Sequence, residues 1–98
     1  MADGSIVKPI MVGSKTDPKR AAGALSAVLM DDGFAEMRCI GPAAVNNAVK
    51  AIAIMRGIVA PSGQDIVCVP AFEVITIKDK DTGKDIQKTA MKFIVQPR

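Results

Sequence analysis

The sequence predicts a two-layer α+β domain in which a mixed four-stranded sheet carries two helices on one face, in the order β-α-β-α-β-β. Its length of 98 residues suits one domain with one core. The chain contains 11 Ile and 10 Val but 2 Leu, together with 14 Ala. Because β-branched residues favour strands, this composition indicates a packed sheet covered by Ala-rich helices rather than a helical bundle.

The first half of the chain predicts a strand and a well-marked helix. We expect residues 1–5 to form a loose lead-in and residues 6–98 to form one domain. Residues 6–12 are strand-like, and Pro9 suits a sheet edge or a strand start because proline cannot donate to a neighbouring strand. Asp17 as N-cap, Pro18 at the first helical position and Gly33 as terminator bound the first helix.

The second half predicts a strand, a helix and a hairpin. Residues 35–40 form a strand, and Gly41 with Pro42 opens a second helix that ends at Arg56, before Gly57. The remaining predicted segments are a loop at 59–63, a strand at 65–77 broken at Pro70, a polar turn at 78–85 and a strand at 86–95.

This order predicts where a functional site lies. Parallel strands joined through helices place both strand-to-helix turns at the same edge of the sheet. If the third strand is also parallel, the hairpin tip emerges there too. We therefore expect residues 14–19, 41–50 and 78–88 to converge on one rim of the domain.

The first of these segments places Ser14 and Lys15 before a helix N-terminus, where unpaired N–H groups favour an oxyanion or phosphate. The spacing is not that of a Walker A loop, since Ser14 and Pro9 stand where glycines are required. Capping by Asp17 and a solvated lysine explain the same residues. Both interpretations stay open for this segment.

The second predicted helix carries polar side chains and an excess of apolar ones. Asn46 and Lys50 lie on one side of the helix, with Asn47 beside them. They could contact a phosphate backbone or a base edge, form a solvated stripe, or make hydrogen bonds across a twofold axis. Those three are the polar residues of 43–55, fewer than a one-sided surface helix carries. We expect a homo-oligomer whose interface includes Ala51 and Ile54.

The third segment, the hairpin, is mixed in charge. Residues 78–88 carry four lysines and three aspartates, a net charge of +1. This pattern is typical of a solvated turn, or of lysines spread along a nucleic-acid backbone while aspartates cap the turn.

Composition also excludes several classes of function. The chain contains no histidine, which removes the commonest general base and metal ligand. Cys39 and Cys68 lie in apolar runs without ligand spacing, so they are expected to be small buried side chains, with a disulfide or a reactive thiol as the alternative. We expect no enzyme activity, no metal and no cofactor. Without a leader or an uncharged 18-residue apolar run, we expect a cytoplasmic protein that does not bind membranes.

Several segments make the sequence resemble the stage V sporulation protein S family across about residues 6–98. They are residues 21–25 (AAGAL), 40–57 (IGPAAVNNAVKAIAIMRG), 59–63 (VAPSG), 68–72 (CVPAF) and 92–98 (KFIVQPR). The resemblance implies a small bacterial regulator of sporulation and development, with an Alba-like two-layer fold, a dimeric state and a nucleic-acid-binding role. The hairpin 78–85 (KDKDTGKD) is longer than the tight turn of that family.

A more distant likeness to Alba proteins lies in residues 41–49. In Alba proteins the second helix lies near the dimer interface, while the first loop and the hairpin approach DNA. By position, Lys15 stands in that first loop and residues 78–84 in the hairpin.

The sequence therefore predicts a dimeric, non-enzymatic regulator that binds DNA or RNA mainly through phosphates. The mildly basic balance, +3 with a pI near 9.1, is compatible with this partner. The alternatives are a protein-interaction or assembly module, and a site for a small anion at the helix N-termini. The predicted nucleic-acid contacts are Ser14, Lys15, Asn46, Asn47, Lys50, Arg56, Lys80 and Lys84.

Overall fold

The computed structural model describes residues 8–98, and the predicted lead-in at 1–5 lies outside this range. The described residues form the predicted β-α-β-α-β-β order. The elements are β1 (Ile10–Val12), α1 (Pro18–Asp32), β2 (Ala35–Cys39), α2 (Pro42–Val59), a 3₁₀ turn (Ala60–Ser62), β3 (Ile66–Lys78) and β4 (Asp85–Pro97).

The sheet is mixed, and its strands lie in the order β1-β2-β4-β3. β1 and β2 are parallel, whereas β4 runs antiparallel to both of its neighbours, β2 and β3. β3 is therefore parallel to β1 and β2. The carboxyl ends of these three strands point to the same edge of the sheet, which is the condition on which the predicted rim depended.

Both helices pack on the same face of this sheet. In β2 the side chains alternate: Ala35, Met37 and Cys39 are buried, whereas Glu36 and Arg38 lie on the opposite face. Leu25 of α1 is fully buried between the layers. The face without helices, called here the open face, carries Arg38 together with Lys92 of β4, its register partner.

The helix boundaries are as predicted except at the end of α2. Asp17 caps α1, Pro18 is its first residue, and Gly33 ends it with a left-handed φ of 82°. The predicted end of α2 at Arg56 is wrong, because the helix continues through Gly57 to Val59, which packs against the core. The chain leaves the helical path at Gly63, where φ is 81°.

Of the strand predicted at 6–12, residues 6 and 7 lie outside the described range. β1 begins at Ile10, directly after Pro9, so Lys8 and Pro9 precede the strand instead of belonging to it. The other strand ends differ from the prediction by up to two residues. The larger correction concerns Pro70: β3 runs through this proline without the predicted break.

The hydrogen-bond phase of β3 explains why Pro70 is tolerated. The N–H of Asp79 donates to the carbonyl of Lys84 (2.8 Å), and the N–H of Arg98 donates to the carbonyl of Asp65 (3.0 Å). Each bond joins the pair that lies one position beyond an end of the β3–β4 ladder, whose register runs without interruption from Ile66–Pro97 to Lys78–Asp85. In an antiparallel pair hydrogen-bonded positions alternate. The odd-numbered residues of β3 therefore bond to β4, while Pro70 and the other even-numbered residues direct their backbone away from it.

The β3–β4 hairpin extends beyond the rest of the sheet. Cys39, the last residue of β2, is level with Met91 of β4 and Phe72 of β3. Residues 73–78 of β3 continue past this level, which is a length of about 20 Å at the usual rise per strand residue. We call residues 73–90 the arm.

Candidate nucleic-acid interface

The loop between β1 and α1 forms one part of the candidate site. The N–H of Gly13 donates to Oγ1 of Thr16 (2.8 Å), and the N–H of Thr16 donates to the carbonyl of Gly13 (3.2 Å). This tight turn leaves Ser14 and Lys15 exposed at its apex. The Asp17 carboxylate accepts the N–H of Lys19 (3.0 Å), so one helix donor is already occupied by the cap.

Asn47 fixes this loop to α2. Its Nδ2 donates to the carbonyls of Gly13 and Ser14, both at 3.1 Å. The side chain that the sequence assigned to nucleic acid therefore uses its amide donors within the protein. Asn47 positions Ser14 and Lys15, a role that residue type and spacing did not reveal because its partners lie more than 30 residues away in the chain.

α2 adds exposed polar groups beside the loop. Asn46 and Lys50 are exposed one turn apart near its N-terminus. Lys50 and Lys19 line a shallow cleft of about 390 Å³ together with Asp17 and Ile54. Lys19 lies in the predicted segment 14–19 but was not among the predicted contacts, since only the packing of α1 against α2 brings it to Lys50. From here on, the term rim is kept for the part of the predicted rim that lies on the β1–α1 loop and the two helices: Ser14, Lys15, Lys19, Asn46, Asn47 and Lys50.

The tip of the arm is a structured turn. Oδ1 of Asp79 accepts a hydrogen bond from the N–H of Asp81 (2.8 Å), and the backbone carbonyl of Asp79 accepts one from the N–H of Gly83 (2.9 Å). Oγ1 of Thr82 accepts the N–H of Lys84 (3.2 Å). Asp79 thus shapes the turn. The tip presents Lys80 and Lys84, both exposed.

The predicted contact residues fall into three places. Ser14, Lys15, Asn46, Asn47 and Lys50 lie together on the rim. Lys80 and Lys84 lie on the same side of the domain but beyond it, across the arm's length of about 20 Å. The predicted residues therefore form two groups on one side, with Arg56 elsewhere.

Arg56 lies about 15 Å from Asn46 along the axis of α2, toward the opposite edge of the sheet. Its Nε donates to Oδ1 of Asp65 (2.7 Å), and Nη1 of Arg98 approaches Oδ2 of the same carboxylate at 3.4 Å. The hydrogen bond from Arg56 lowers the pKa of Asp65. Arg56 is therefore paired and remote from the rim.

The exposed apolar residues of the domain are not Ala51 and Ile54, the residues predicted for the oligomer interface. Ala51 is 0% exposed and belongs to the core, and Ile54 is half-buried in the cleft beside Lys50. The extra apolar side chains of α2 are instead Val49 and Ile58. On the arm side of the sheet, Phe72 and Val74 are exposed by 78% and 63%.

An ion pair holds the root of the arm. Nε of Arg38 donates to Oε1 of Glu73, and Nη2 of Arg38 donates to Oε2, each at 2.9 Å. This contact crosses β4 on the open face and joins β2 to β3. The hydrogen bonds from Arg38 lower the pKa of Glu73.

The two cysteines are free thiols. Cys39 is buried and Cys68 half-buried, and burial raises the pKa of both thiols. Within residues 8–98 no three His, Cys, Asp or Glu side chains form a cluster suited to a metal ion.

One helical segment, Pro42–Ser62, is long and apolar enough to cross a membrane by length and composition, and 22% of its most apolar stretch is buried inside the domain. Four residues of α2 in this segment pack in the core: Ala44, Ala48, Ala51 and Met55.

Comparison with known protein families gives a match over nearly the whole chain. The model of the stage V sporulation protein S family (SpoVS) matches residues 8–98, which include both helices, all of the strands described above, the rim and the arm. This match confirms the resemblance inferred from the sequence segments. The chain is a small sporulation-related protein that belongs to the stage V sporulation protein S family.

Proposed function

We propose that this protein acts in sporulation as a dimeric, non-enzymatic, cytoplasmic regulator that binds nucleic acid through its phosphates. The observation that carries the proposal is the placement of rim and arm. Two groups of exposed lysines lie on one side of the domain, separated by about 20 Å along the strands.

This separation suits a nucleic-acid backbone. Phosphates along one strand are about 3.4 Å apart per base step, so the distance from rim to tip corresponds to roughly six steps. Lys15 and Lys50 at one end, and Lys80 and Lys84 at the other, reach phosphates of the same duplex. Lysine acts as a point charge and reads no base edges in this arrangement, so we expect weak sequence preference.

Self-association is the second part of the proposal. Val49, Phe72 and Val74 leave apolar surface uncovered in one copy, whereas soluble monomers expose few contiguous apolar patches. A dimer covers part of this surface. It also doubles the net charge of +3 to +6, which strengthens the attraction to phosphates.

Fluorescence anisotropy with labelled duplex DNA and structured RNA tests the binding proposal. We expect saturable binding at about 50 mM salt that weakens steeply at about 200 mM, because each phosphate contact releases counterions. No saturable binding to either nucleic acid at low salt contradicts the proposal.

The exposed apolar side chains of Phe72 and Val74, at the root of the arm, support a second candidate, a protein-assembly module without direct nucleic-acid binding. Light scattering separates higher assemblies from a simple dimer. Under this alternative, reversing the charges of Lys15, Lys80 and Lys84 leaves regulation in the cell intact, whereas the nucleic-acid proposal predicts its loss.

A further inference from the structure

A cleft of about 730 Å³ lies at the edge of the sheet opposite to the rim, where α1 and α2 end and β3 begins. We call it the far cleft, and its lining includes Leu29, Met30, Met55, Gln64, Ile66 and Arg98. Sites for small organic molecules have volumes of about 300–1,000 Å³. The far cleft is therefore large enough for such a ligand, and the proposed nucleic-acid contacts of rim and arm leave it unused.

The interior of the far cleft is apolar. Leu29, Met55 and Ile66 belong to the core and form its buried part. Met30 lines the cleft from its outer side, with 84% of its surface exposed. Methionine side chains are unbranched and flexible, so they adapt readily to the shape of a bound apolar chain. The far cleft therefore suits the apolar body of a ligand.

Arginine side chains outnumber carboxylates at one end of the far cleft. Arg56 and Arg98 share Asp65, so this group of three residues carries one uncompensated positive charge. Oδ1 of Asp65 accepts hydrogen bonds from Nε of Arg56 (2.7 Å) and from the N–H of Ile66 (2.9 Å). Arg98, in contrast, reaches Oδ2 of Asp65 through one long contact of 3.4 Å. The positive charge of Arg98 is thus the less well compensated of the two.

The Arg98 guanidinium is available to a ligand. A guanidinium has five N–H donors, and among residues 8–98 the contact with Asp65 is the one hydrogen bond that the Arg98 side chain makes. This side chain is 68% exposed. The backbone N–H of Arg98 donates to the carbonyl of Asp65 (3.0 Å), which fixes the residue at the cleft while its guanidinium stays free to reorient.

These donors fit a carboxylate better than an amine. A guanidinium forms two parallel hydrogen bonds with a carboxylate, and a ligand with one negative charge neutralises the uncompensated positive charge. Asp31 and Asp32, at the end of α1, do not line the far cleft. Ser26 and Gln64 do line it, and they add a hydroxyl and an amide as uncharged donors.

We propose that the far cleft binds a small amphipathic carboxylate, whose unbranched apolar chain lies against Leu29, Met30 and Met55 and whose carboxylate pairs with Arg98. Such a ligand contacts both helices and the β3–β4 pair at once. Because the far cleft exists only in the folded chain, binding stabilises the fold. The proposal goes beyond the proposed function and does not depend on it, since the far cleft and the rim lie at opposite edges of the sheet.

Three probes separate the contributions of chain and head group. Octanoate carries both, octylammonium carries the same chain with a positive head group, and acetate carries the carboxylate with almost no chain. Amide chemical shifts are recorded by NMR at pH 7 and constant ionic strength. We expect octanoate to give saturable shifts at Met30, Gln64 and Ile66 and none at Lys80. It should bind about tenfold more tightly than either of the other probes.

Substitutions of Arg98 test the head-group contact. We expect Arg98→Gln to weaken octanoate binding about tenfold, and Arg98→Glu to reverse the preference so that octylammonium binds more tightly than octanoate. Arg98 is largely exposed, so both variants are expected to fold, and circular dichroism checks this. Arg20→Gln is the matched control and should bind octanoate as the wild type does, because Arg20 is an exposed arginine of α1 that does not line the cleft.

Octanoate that gives no saturable shifts, or shifts only outside the far cleft, overturns the proposal. Octylammonium that binds as tightly as octanoate overturns the pairing with Arg98, and acetate that binds as tightly overturns the role of the apolar interior. Nucleic-acid binding is measured separately by anisotropy with duplex DNA, so a failure at the far cleft is distinguishable from a failure of the proposed function.

Discussion

Arg38 and Glu73 face each other across β4 and form two parallel hydrogen bonds of 2.9 Å. Their side chains are 26% and 27% exposed, so the pair is partly shielded from water. Glu73 is the first arm residue past the level of β2. The pair therefore fastens the root of the arm to the body of the domain, and with it the orientation of the tip lysines.

Arg38→Gln is expected to lower the free energy of unfolding by about 1 kcal/mol, since it removes a bidentate ion pair that is only partly buried. Urea denaturation measures this change. Arg20→Gln is the matched control, because Arg20 is an exposed arginine of α1 and its loss changes the net charge by the same amount. An equal loss in both variants would show that net charge, not the pair, determines the effect.

Acid should weaken the fold through Glu73 and Asp65. Arginine partners lower the pKa of both carboxyl groups in the folded state. Their stabilising contribution is therefore fully present above the ordinary values, about 4.3 for Glu and 3.9 for Asp, and is lost as pH falls through the lower folded values. Thermal unfolding between about pH 6 and pH 2.5, at fixed protein concentration, measures the decline.

Replacing both carboxyl groups, in Glu73→Gln with Asp65→Asn, should flatten this acid dependence. If the double variant loses stability with the same slope as the wild type, other carboxyl groups are responsible.

Asn47→Ala should release the loop that carries Ser14 and Lys15. The variant loses two hydrogen bonds to backbone carbonyls, so we expect the free energy of unfolding to fall by about 1 kcal/mol. Nucleic-acid affinity should fall with it. Asn46→Ala serves as the control for stability, because Asn46 is exposed, and its unfolding energy should stay within about 0.5 kcal/mol of the wild type.

Two glycines at the end of α2 should respond oppositely to alanine. Gly57 lies inside the helix, and a Cβ there meets nothing within 4 Å, so Gly57→Ala should stabilise the protein by about 0.5–1 kcal/mol. Gly63 has a φ of 81°, so Gly63→Ala should cost about 1 kcal/mol or more. Melting temperatures of the two variants check this, and a shift of the same sign would contradict the assigned helix end.

The element order was predictable from the sequence because capping residues and turns are local signals. Asp17, Pro18 and Gly33 mark α1 without any tertiary information. Gly57 misled the prediction because the packing of Val59 against the core outweighs the modest helix penalty of one glycine. Pro70 misled the prediction because a strand tolerates proline where the backbone nitrogen points away from the neighbouring strand. That direction can be known only from the strand register.

The site was predictable only in part for the same reason. Sequence reasoning placed the three segments at one edge, which the parallel direction of β3 confirms. The length of the arm, the use of Asn47 within the protein and the approach of Lys19 to Lys50 all arise from contacts between distant segments. Arg56 looked available because Asp65 is its partner only after the chain turns back into β3.

The salt dependence of duplex DNA binding by paired lysine variants tests the central claim most directly. Lys15→Gln with Lys50→Gln removes two rim charges, and Lys80→Gln with Lys84→Gln removes two tip charges. Arg56→Gln with Arg98→Gln removes two positive charges beside Asp65, remote from the rim and the arm, as the control. If each rim or tip lysine neutralises one phosphate, the log–log slope should become shallower by about 1.8 in the first two variants and stay unchanged in the third. Equal slopes in all three variants and the wild type would contradict phosphate binding by the rim and the arm.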